Sequence, residues 1–316
     1  MSDGRFYSGE HMASHFAVSR ATIFNLLRQA ESHGVLVHAV RGKGYRLASR
    51  YSWLDQAVLE SGIDRLGLEY RVVSLEETES TNSQLVAEAI SGAPHRTVLY
   101  SDYQHAGKGR RGRAWASTLG GGLAFSVLWR FDRGIGQLSG LSIAVGLALT
   151  RALGQVSPIP VQLKWPNDVL AGYRKLAGIL VEVQGELAGP SFAVIGIGLN
   201  ERLSDQHRQA IDQGVVDLAE MGIRVSRADL MLAILHELSK AMATFEQDGI
   251  RSMLGEWSGL HAHEGREVVV RMPNGATHTG IAQGLDEDGN LILIDVGGDK
   301  RKFAAGEVSL RLAGAR

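Results

Sequence analysis

The sequence contains no cysteine among its 316 residues. This absence excludes a disulfide framework, a thiolate metal site and catalysis by a cysteine nucleophile, and it suits a protein of the reducing cytosol. The first ten residues lack the apolar stretch of a signal peptide. The longest uncharged run, residues 134–150, is too short and too rich in Gly, Ser and Gln to cross a membrane, so it predicts a buried helix. We therefore expect a soluble cytoplasmic protein.

Charge is unevenly distributed along the chain. The whole sequence has 33 Lys or Arg against 34 Asp or Glu, but the N-terminal segment (residues 1–50) has seven against three. Hydrophobic residues make up 44%, which is enough for a packed core, and the length favours two or three domains. A basic segment joined to an acidic remainder predicts an anionic partner, with nucleic acid as the first candidate.

The N-terminal segment has the pattern of two short helices and a β-hairpin. Ser8 and Ser19 each precede a helix-forming run, and Gly34 ends the second one. Residues 35–47 then predict a strand, a tight basic turn and a return strand. This order is typical of a winged helix-turn-helix, whose second helix enters a DNA major groove while the turn contacts phosphate. The residues predicted to contact DNA are Arg20, Thr22, Asn25, Arg28 and Lys43.

One element of a winged helix is missing from this pattern. Such a domain normally opens with a further helix that closes its core, and only about seven residues precede Ser8. We expect apolar surface on the two helices to be left uncovered. The alternative interpretation is a basic appendage that only packs or dimerises.

The remaining chain divides into two regions that differ in their predicted secondary structure. Residues 51–260 alternate strands and helices, which is typical of an α/β layer. We predict strands over 98–100, 122–129, 162–164, 177–183 and 192–199, and helices over 82–90, 137–153 and 228–247. Residues 261–316 carry short β runs separated by turn signals and predict a small β-barrel.

The cationic loop, residues 107–113, is the densest cluster of functional side chains. Its sequence Gly-Lys-Gly-Arg-Arg-Gly-Arg fits G-x-G-x-x-G, but poor helix formers follow it, which excludes a Rossmann turn. Four like charges repel one another on a backbone with high entropy to lose, so we expect a loop that is mobile until it closes over an anion. Polyphosphate is the natural candidate because guanidinium groups match phosphate oxygens. The alternative is a solvated loop that touches nucleic acid without specificity.

Four other groups of residues suit a nucleotide site but have simpler explanations. Residues 164–168, Lys-Trp-Pro-Asn-Asp, can hold ribose, phosphate or Mg²⁺, or can merely end a strand. Lys175 begins an apolar strand and points either into a pocket or along an edge. Residues 79–82 are polar and begin a helix, which capping alone would explain. Asn200 ends a glycine-rich strand that permits close approach of a nucleotide.

Together these motifs resemble those of the biotin–protein ligases, in the bacterial bifunctional form that also represses the biotin operon. The resemblance rests on residues 79–82, 107–113, 164–169, 175–182 and the strand ending at Asn200, in the family's order. It implies an α/β (α+β) fold with an N-terminal winged helix-turn-helix, a class II synthetase-like catalytic domain and an SH3-like C-terminal barrel. Lys108 stands where the family has its first arginine, so we expect weaker retention of biotin or adenylate.

The resemblance also implies a reaction and its partners. Biotin and Mg·ATP form biotinyl-5′-AMP, from which biotin passes to a lysine of the biotin carboxyl carrier protein of acetyl-CoA carboxylase. Operator DNA is a further implied partner, and the adenylate-bound protein is expected to form a homodimer. Two alternatives are a regulator that senses biotin without transferring it, and a lipoate–protein ligase.

Roles for individual residues follow from the same resemblance. The implied biotin site consists of Ser80, Thr81, Asn82, Gln104, Gly107, Lys108, Gly109, Arg110 and Lys175. The implied ATP and adenylate site consists of Arg110, Arg113, Trp115, Lys164, Asn167, Asp168 and Asn200, with Asp168 as the Mg²⁺ ligand. The implied catalytic residues are Lys175, Arg110 and Arg113, since attack of one anion on another needs cations to stabilise the charge that grows at phosphorus.

Overall fold

Two capped helices and a hairpin form the N-terminal segment, as predicted. The computed structural model describes residues 3–48, 51, 53–156, 160–211, 213–305 and 309–312. Ser8 and Ser19 accept hydrogen bonds from backbone amides in the first turns of the two helices. The elements are α1 (Gly9–His15), α2 (Arg20–Ser32), β1 (Val37–Val40) and β2 (Gly44–Leu47), with β1 and β2 antiparallel.

No helix precedes α1 within residues 3–8. Instead the backbone of Tyr7 pairs with that of Tyr45 in β2, through two hydrogen bonds of 2.9 and 2.8 Å. The apolar side chains of Phe16, Phe24 and Leu26 remain exposed, at 62%, 49% and 53%. Residues 3–8 therefore pair with the hairpin, through Tyr7, in place of a helix, and apolar side chains at α1 and α2 are exposed as expected.

A seven-stranded sheet forms the centre of the molecule. Its strand order is β3-β4-β5-β9-β8-β7-β6, and only β3 and β4 are parallel. The strands are β3 (Arg71–Thr78), β4 (Thr97–Gln104), β5 (Gly122–Phe131), β6 (Gln162–Lys164), β7 (Asp168–Ala171), β8 (Arg174–Gly185) and β9 (Ser191–Asn200). The helices around it are α3 (Gln56–Arg65), α4 (Thr81–Ile90), α5 (Leu141–Val156), α6 (Asp205–Ala210), α7 (Arg227–Asp248) and α8 (Leu254–Leu260).

Side-chain alternation along the strands gives the central sheet two buried faces. In β4, Leu99 packs with Leu85 of α4 on one face, while Val98 and Tyr100 belong to the larger core on the other. That larger core also contains most of α5 and α7. The uncharged run predicted as a buried helix is therefore a core helix, although α5 begins at Leu141 rather than at residue 137. The earlier start is wrong because Gly140 has φ +79°, which no helical residue adopts.

Five antiparallel strands form the C-terminal sheet, in the order β13-β12-β11-β10-β14. They are β10 (Glu267–Arg271), β11 (Thr277–Leu285), β12 (Leu291–Ile294), β13 (Lys300–Phe303) and β14 (Ser309–Leu312). The buried residues of this sheet are continuous with the core of the central sheet. At the junction, Ala262 N donates to Leu163 O (2.8 Å) and Trp165 Nε1 donates to Gly289 O (3.0 Å). These contacts fix the C-terminal sheet beside β6.

Candidate functional site

A cavity of about 420 Å³ opens between the cationic loop, the start of α4 and strands β8 and β9. Twelve of the predicted site residues line it: Ser80, Thr81, Asn82, Gln104, Lys108, Gly109, Arg110, Arg113, Trp115, Asn167, Lys175 and Asn200. These residues come from six separate stretches of the chain. The fold therefore brings together side chains that the sequence could connect only by resemblance.

Glycines make the floor of the cavity flat enough for an aromatic ring. Gly178 of β8 and Gly198 of β9 are register partners. A Cβ at Gly198 would lie 2.5 Å from the Trp115 ring, and one at Gly178 would lie 3.1 Å from it. A Cβ at Gly196 would lie 2.2 Å from Asn82 Oδ1. Any side chain at these three positions would thus displace a residue of the cavity wall.

The start of α4 supplies the polar end of the cavity. Ser80 is the N-cap of α4, and its hydroxyl faces the backbone amide of Ser83 at 3.5 Å. Thr81 N donates to Gln104 Oε1 at 2.9 Å, which connects α4 to the end of β4. The side chains of Ser80, Thr81, Asn82 and Gln104 are all buried. Polar groups buried in this way act with fixed orientation on whatever enters the cavity.

The cationic loop folds as a small hairpin over the cavity. Gly109 N donates to Arg113 O and Trp115 N donates to Gly107 O, both at 2.7 Å, and Lys108 and Ala114 form an antiparallel bridge. The turn uses positive φ at Arg111 (+59°) and at Gly112 (+70°). Backbone hydrogen bonds therefore hold the loop in one shape despite its charge. That the loop moves before an anion binds stays a prediction.

Arg110 connects the cationic loop to two other parts of the molecule. Its guanidinium donates to Asn167 Oδ1 (3.1 Å) and to the backbone carbonyl of Ala305, just after β13. Asn167 is held in turn by Ile179 O, to which its Nδ2 donates at 2.7 Å. Burial lowers the pKa of Arg110, and the neighbouring charge of Asp168 opposes that change. The C-terminal sheet thus touches the wall of the cavity through Ala305.

Lys175 presents a nearly buried cation to the cavity. Its Nζ lies 2.7 Å from Asp168 Oδ1 and 5.6 Å from the centroid of the Trp115 ring. Only 15% of the Lys175 side chain and 11% of the Asp168 side chain are exposed. The backbone of Lys175 is fixed as well, since its carbonyl accepts from Asn200 Nδ2 (3.2 Å) and from Val216 N (3.0 Å). The ammonium is therefore held in place rather than free at an edge.

Three predicted site residues do not line the cavity. Gly107 serves the hairpin, since a Cβ there would lie 2.8 Å from Trp115 O. Asp168 is paired with Lys175, and Lys164 is the register partner of Asp168 on β6. Burial lowers the pKa of Lys164, and Asp168 opposes the shift. No group of three His, Cys, Asp or Glu able to hold a metal occurs among the described residues, so the structure adds no support for Asp168 as a Mg²⁺ ligand.

The cavity wall also contains residues that the sequence analysis did not single out. The most informative are Ile211, Gln213 and Val215, which follow α6 and lie beside Lys175 through a parallel bridge between Val215 and Lys175. Apolar residues such as Ile179 and Leu180 look like ordinary strand core until the sheet order is known. Only the glycine alternation in β9 could have indicated the floor in advance.

All five predicted DNA-contacting residues lie at the surface of the N-terminal segment. Arg20, Thr22, Asn25 and Arg28 are exposed on α2, and Lys43 is exposed in the turn between β1 and β2. Contacts between the segment and the central region include the ring of His33, which stacks on Tyr103 at 4.3 Å, and the backbone of His33, whose carbonyl accepts from Leu119 N at 3.0 Å. None of the described helices is long and apolar enough to cross a membrane.

Comparison with known proteins identifies two matching family models. The biotin/lipoate A/B protein ligase family matches residues 75–200, which include α4, the cationic loop, Lys175 and Asn200. The biotin protein ligase C-terminal domain matches residues 263–311, which correspond to the C-terminal sheet. The first match contains every cavity-lining residue named above except Ile211, Gln213 and Val215.

Individual relatives agree with the family models. The chain is 34% identical over 313 residues to the bifunctional ligase/repressor BirA of Salmonella typhimurium, covering 99% of this chain and 96% of that protein. It is 34% identical over 262 residues to the biotin–[acetyl-CoA-carboxylase] ligase of Mycobacterium tuberculosis, covering 81% and 95%. The structure of biotin protein ligase from Aquifex aeolicus in complex with biotin and ATP superimposes with a TM-score of 0.65 at 28% identity, covering 77% and 99%. The chain therefore belongs to the biotin protein ligase family.

Proposed function

We propose that this protein is an ATP-dependent biotin–[acetyl-CoA-carboxylase] ligase that forms biotinyl-5′-AMP and transfers biotin to a lysine of a carrier protein. The observation that carries the proposal is a single cavity with a buried polar end at α4, a held cation at Lys175 and a roof of further cations. Relatives named as biotin ligases, and a similar structure that binds biotin and ATP, support the choice of substrates.

The biotin ring occupies the polar end of the cavity in this proposal. Ser80, Thr81, Asn82 and Gln104 meet the ring, and the backbone of residues 107–109 covers it. The carboxylate of biotin then lies toward Lys175, beyond the glycine floor. Lys108 replaces an arginine of the family and can neutralise an anion only as a point charge, so it holds the bound adenylate less firmly.

The first half-reaction joins two anions. A carboxylate oxygen of biotin attacks the α-phosphorus of ATP, and the bond from that phosphorus to the bridging oxygen breaks to release pyrophosphate. Lys175, Arg110 and Arg113 stabilise the charge that develops on the phosphoryl oxygens. Trp115, Asn167, Asn200 and Lys164 lie on the nucleotide side. Mg²⁺ enters with ATP as part of the substrate, and Asp168, whose Oδ1 lies 2.7 Å from Lys175 Nζ, stays the proposed carboxylate ligand.

The second half-reaction transfers the biotinyl group. The ε-amine of a carrier lysine attacks the acyl carbon of the adenylate, AMP leaves, and the attacking nitrogen loses a proton. The mixed anhydride reacts with water as well as with amines, so the enzyme must exclude water between the two steps. The hairpin of the cationic loop, held against Trp115 and Asn167, is in position to do so.

Incubation with biotin, Mg·ATP and a purified carrier domain tests the proposal. We expect the carrier to gain the mass of one biotinyl group. An unmodified carrier, with an active control ligase succeeding under the same conditions, would contradict ligation. It would leave the alternative of a biotin-sensing regulator without transferase activity. A lipoyl adduct formed in place of a biotinyl one would favour the lipoate ligase.

A second function, repression, is favoured by the exposed basic residues of α2. We propose that residues 1–50 form a winged helix-turn-helix that binds operator DNA, that residues 51–260 form a synthetase-like catalytic domain, and that residues 261–316 form an SH3-like barrel. The Salmonella relative is named a bifunctional ligase/repressor, which supports the proposal of DNA binding.

We also propose that the adenylate-bound protein forms a homodimer through edge strands of the central sheet. Analytical sedimentation with and without biotin plus ATP would test this.

A further inference from the structure

The amide of Asn82 is fixed from both ends by groups outside the residues assigned above. Its Oδ1 accepts from Ser126 Oγ at 2.6 Å, and its Nδ2 donates to Glu182 Oε2 at 2.8 Å and to Leu180 O at 3.2 Å. A rotated amide would turn its oxygen toward a carboxylate and a carbonyl, which are both acceptors. Glu182 and Leu180 therefore determine which way the amide faces.

The orientation of Asn82 determines the proton of Ser126. Ser126 is fully buried on β5, and its Oγ lies 2.6 Å from Asn82 Oδ1 and 2.8 Å from Thr81 Oγ1. The amide oxygen can only accept, so the single hydroxyl proton of Ser126 goes to it. Because Ser126 has no second proton, its 2.8 Å contact with Thr81 is a hydrogen bond only if Thr81 donates, and Gln104 Oε1 at 3.3 Å is the other acceptor for the same Thr81 proton. A chain of hydrogen bonds runs in one direction, from Thr81 through Ser126 and Asn82 to Glu182.

The direction of these hydrogen bonds determines which donors and acceptors the polar end of the cavity presents to a ligand. The Thr81 hydroxyl proton has two acceptors within the protein, Ser126 Oγ at 2.8 Å and Gln104 Oε1 at 3.3 Å, so the hydroxyl accepts from a ligand. Gln104 Oε1 is committed to the Thr81 amide at 2.9 Å, which leaves Nε2 of Gln104 as a donor. An acceptor beside a donor matches the N–H and C=O groups of a cyclic urea. A dithiolane ring has neither group.

We infer that Ser126 and Glu182 are positioning residues that impose this hydrogen-bond direction and thereby select a cyclic urea over a ring without N–H groups. The inference rests on the proposed function, in which biotin is the ligand of this end of the cavity. Gly196 contributes by leaving room for the Asn82 amide, since a Cβ there would overlap its oxygen. Neither positioning residue lines the cavity, so each acts through Thr81 and Asn82.

Binding of biotin to the full chain, measured by calorimetry without ATP, tests the inference. Ser126→Ala leaves Asn82 Oδ1 unpaired and leaves the Thr81 proton only its 3.3 Å contact with Gln104 Oε1, so we expect the Kd for biotin to rise about tenfold. The KM for biotin should rise with it, while kcat at saturating biotin and the KM for ATP stay within about twofold. Ser191→Ala is the matched control: Ser191 is a buried serine at the far end of β9 whose hydroxyl donates to Arg133 O. It should leave the Kd unchanged.

A biotin analogue with one urea nitrogen methylated separates positioning from loss of structure. Wild type should prefer biotin to this analogue, and Ser126→Ala should reduce that preference about tenfold because the Thr81 proton is then held only by its longer contact with Gln104 Oε1. An equal loss of affinity for both ligands would overturn the inference, as would unchanged affinity for biotin. If wild type itself does not bind biotin, the proposed function fails as well.

Variants of Glu182 test the inference independently if Ser126→Ala does not fold. Glu182→Gln keeps an oxygen that can accept from Asn82, so biotin affinity should stay within about threefold of wild type. Glu182→Met has a similar size and no such acceptor, so the Kd should rise about tenfold. Equal affinities of the two variants for biotin would overturn the inference.

Discussion

Asp168 and Lys175 form an ion pair at the wall of the cavity, and the account gives the two residues different tasks. In the proposed function Lys175 faces the reacting groups, and Asp168, 2.7 Å from its Nζ, holds it there. Both side chains are nearly buried, and a buried charge that loses its partner is costly. The position of the ammonium should therefore depend on the carboxylate.

Asp168→Asn keeps the shape of the side chain and removes its charge. We expect kcat for carrier biotinylation to fall ten- to a hundredfold, with the KM for biotin nearly unchanged, because the cation is needed most in the transition state. Steady-state kinetics would measure both constants. Glu256→Gln removes an exposed ion-pair partner of Arg151 and serves as the control. Equal kcat values for Asp168→Asn and wild type would contradict the positioning role.

Gly198→Ala places a methyl group where the Trp115 ring lies, at a nominal separation of 2.5 Å. The ring must move, and we expect the KM for ATP to rise at least about tenfold because Trp115 borders the adenylate in the proposed site. Gly259→Ala in α8 is the matched control, since a Cβ there meets nothing within 4 Å. An unchanged KM for ATP in Gly198→Ala would show that Trp115 is not part of the nucleotide site.

At the residue level, the sequence indicated the polar and charged side chains of the cavity better than the glycine and apolar residues that form its wall. Lys175 and Asn200 were predicted because a lysine or asparagine at a strand end is visible in the sequence. Gly178 and Val215 were not, because a glycine or valine has no chemistry of its own. Their importance comes from what lies opposite them, which depends on strand register.

At the scale of elements, the hairpin shape of the cationic loop was not predicted from the sequence, while the mobility of the loop stays a prediction. Repulsion among its four cations and the entropy of its glycines favour a mobile loop. The hairpin shape comes from backbone hydrogen bonds such as Gly109 N to Arg113 O, which no side-chain pattern reveals. Long periodic elements were easier to predict, and the helix predicted over 228–247 corresponds to α7. Strand β7 was not predicted, because a four-residue strand has too short an apolar run to be recognised.

The junction between the central and C-terminal sheets carries two buried histidines. The ring of His261 stacks on Trp257, and its Nδ1 lies 3.2 Å from Glu264 Oε2. The ring of His263 lies 5.9 Å from that of His261. Burial lowers the pKa of His261 to about 4, and burial together with the charges of its neighbours lowers the pKa of His263 to about 3.

The sign of the pH dependence follows from these pKa values. Between about pH 6.5 and 4 the unfolded chain takes up protons at both histidines and the folded chain does not. The free energy of unfolding should therefore fall as the pH falls through this window, by up to about 1.4 kcal/mol per pH unit for each histidine. Chemical denaturation at several pH values would measure the slope. His263→Gln should reduce it, and an equal slope in this variant and wild type would contradict the assignment.

At the scale of the whole molecule, the arrangement of strands is what the sequence left open. The order of the seven-stranded sheet places β9 between β5 and β8, although β9 is far from β5 in the chain. The central and C-terminal sheets share one core, whereas the N-terminal segment has a small core of its own around Met12 and Ile23. The pattern of predicted elements and the charge distribution suggested three regions, but how these regions pack depends on pairing between strands that are distant in the chain.

The separate core of the N-terminal segment predicts that DNA binding and ligation can be separated by mutation. Arg20→Ala with Arg28→Ala removes two exposed cations of α2, and we expect at least a tenfold loss of affinity for the promoter DNA of biotin genes. A gel-shift assay with biotin and ATP present would measure it, with Arg65→Ala in α3 as the control. Ligation should be unchanged. Undiminished DNA binding by the double variant would contradict the assignment of α2.

Biotin-dependent exchange of labelled pyrophosphate into ATP, measured without carrier, tests the central claim most directly. Exchange requires that one cavity bind both substrates and reversibly form the adenylate. The account predicts exchange by wild type that depends on biotin and falls at least a hundredfold in Lys175→Met, with the variant still folded. Absence of exchange in wild type, or equal exchange in Lys175→Met, would contradict it.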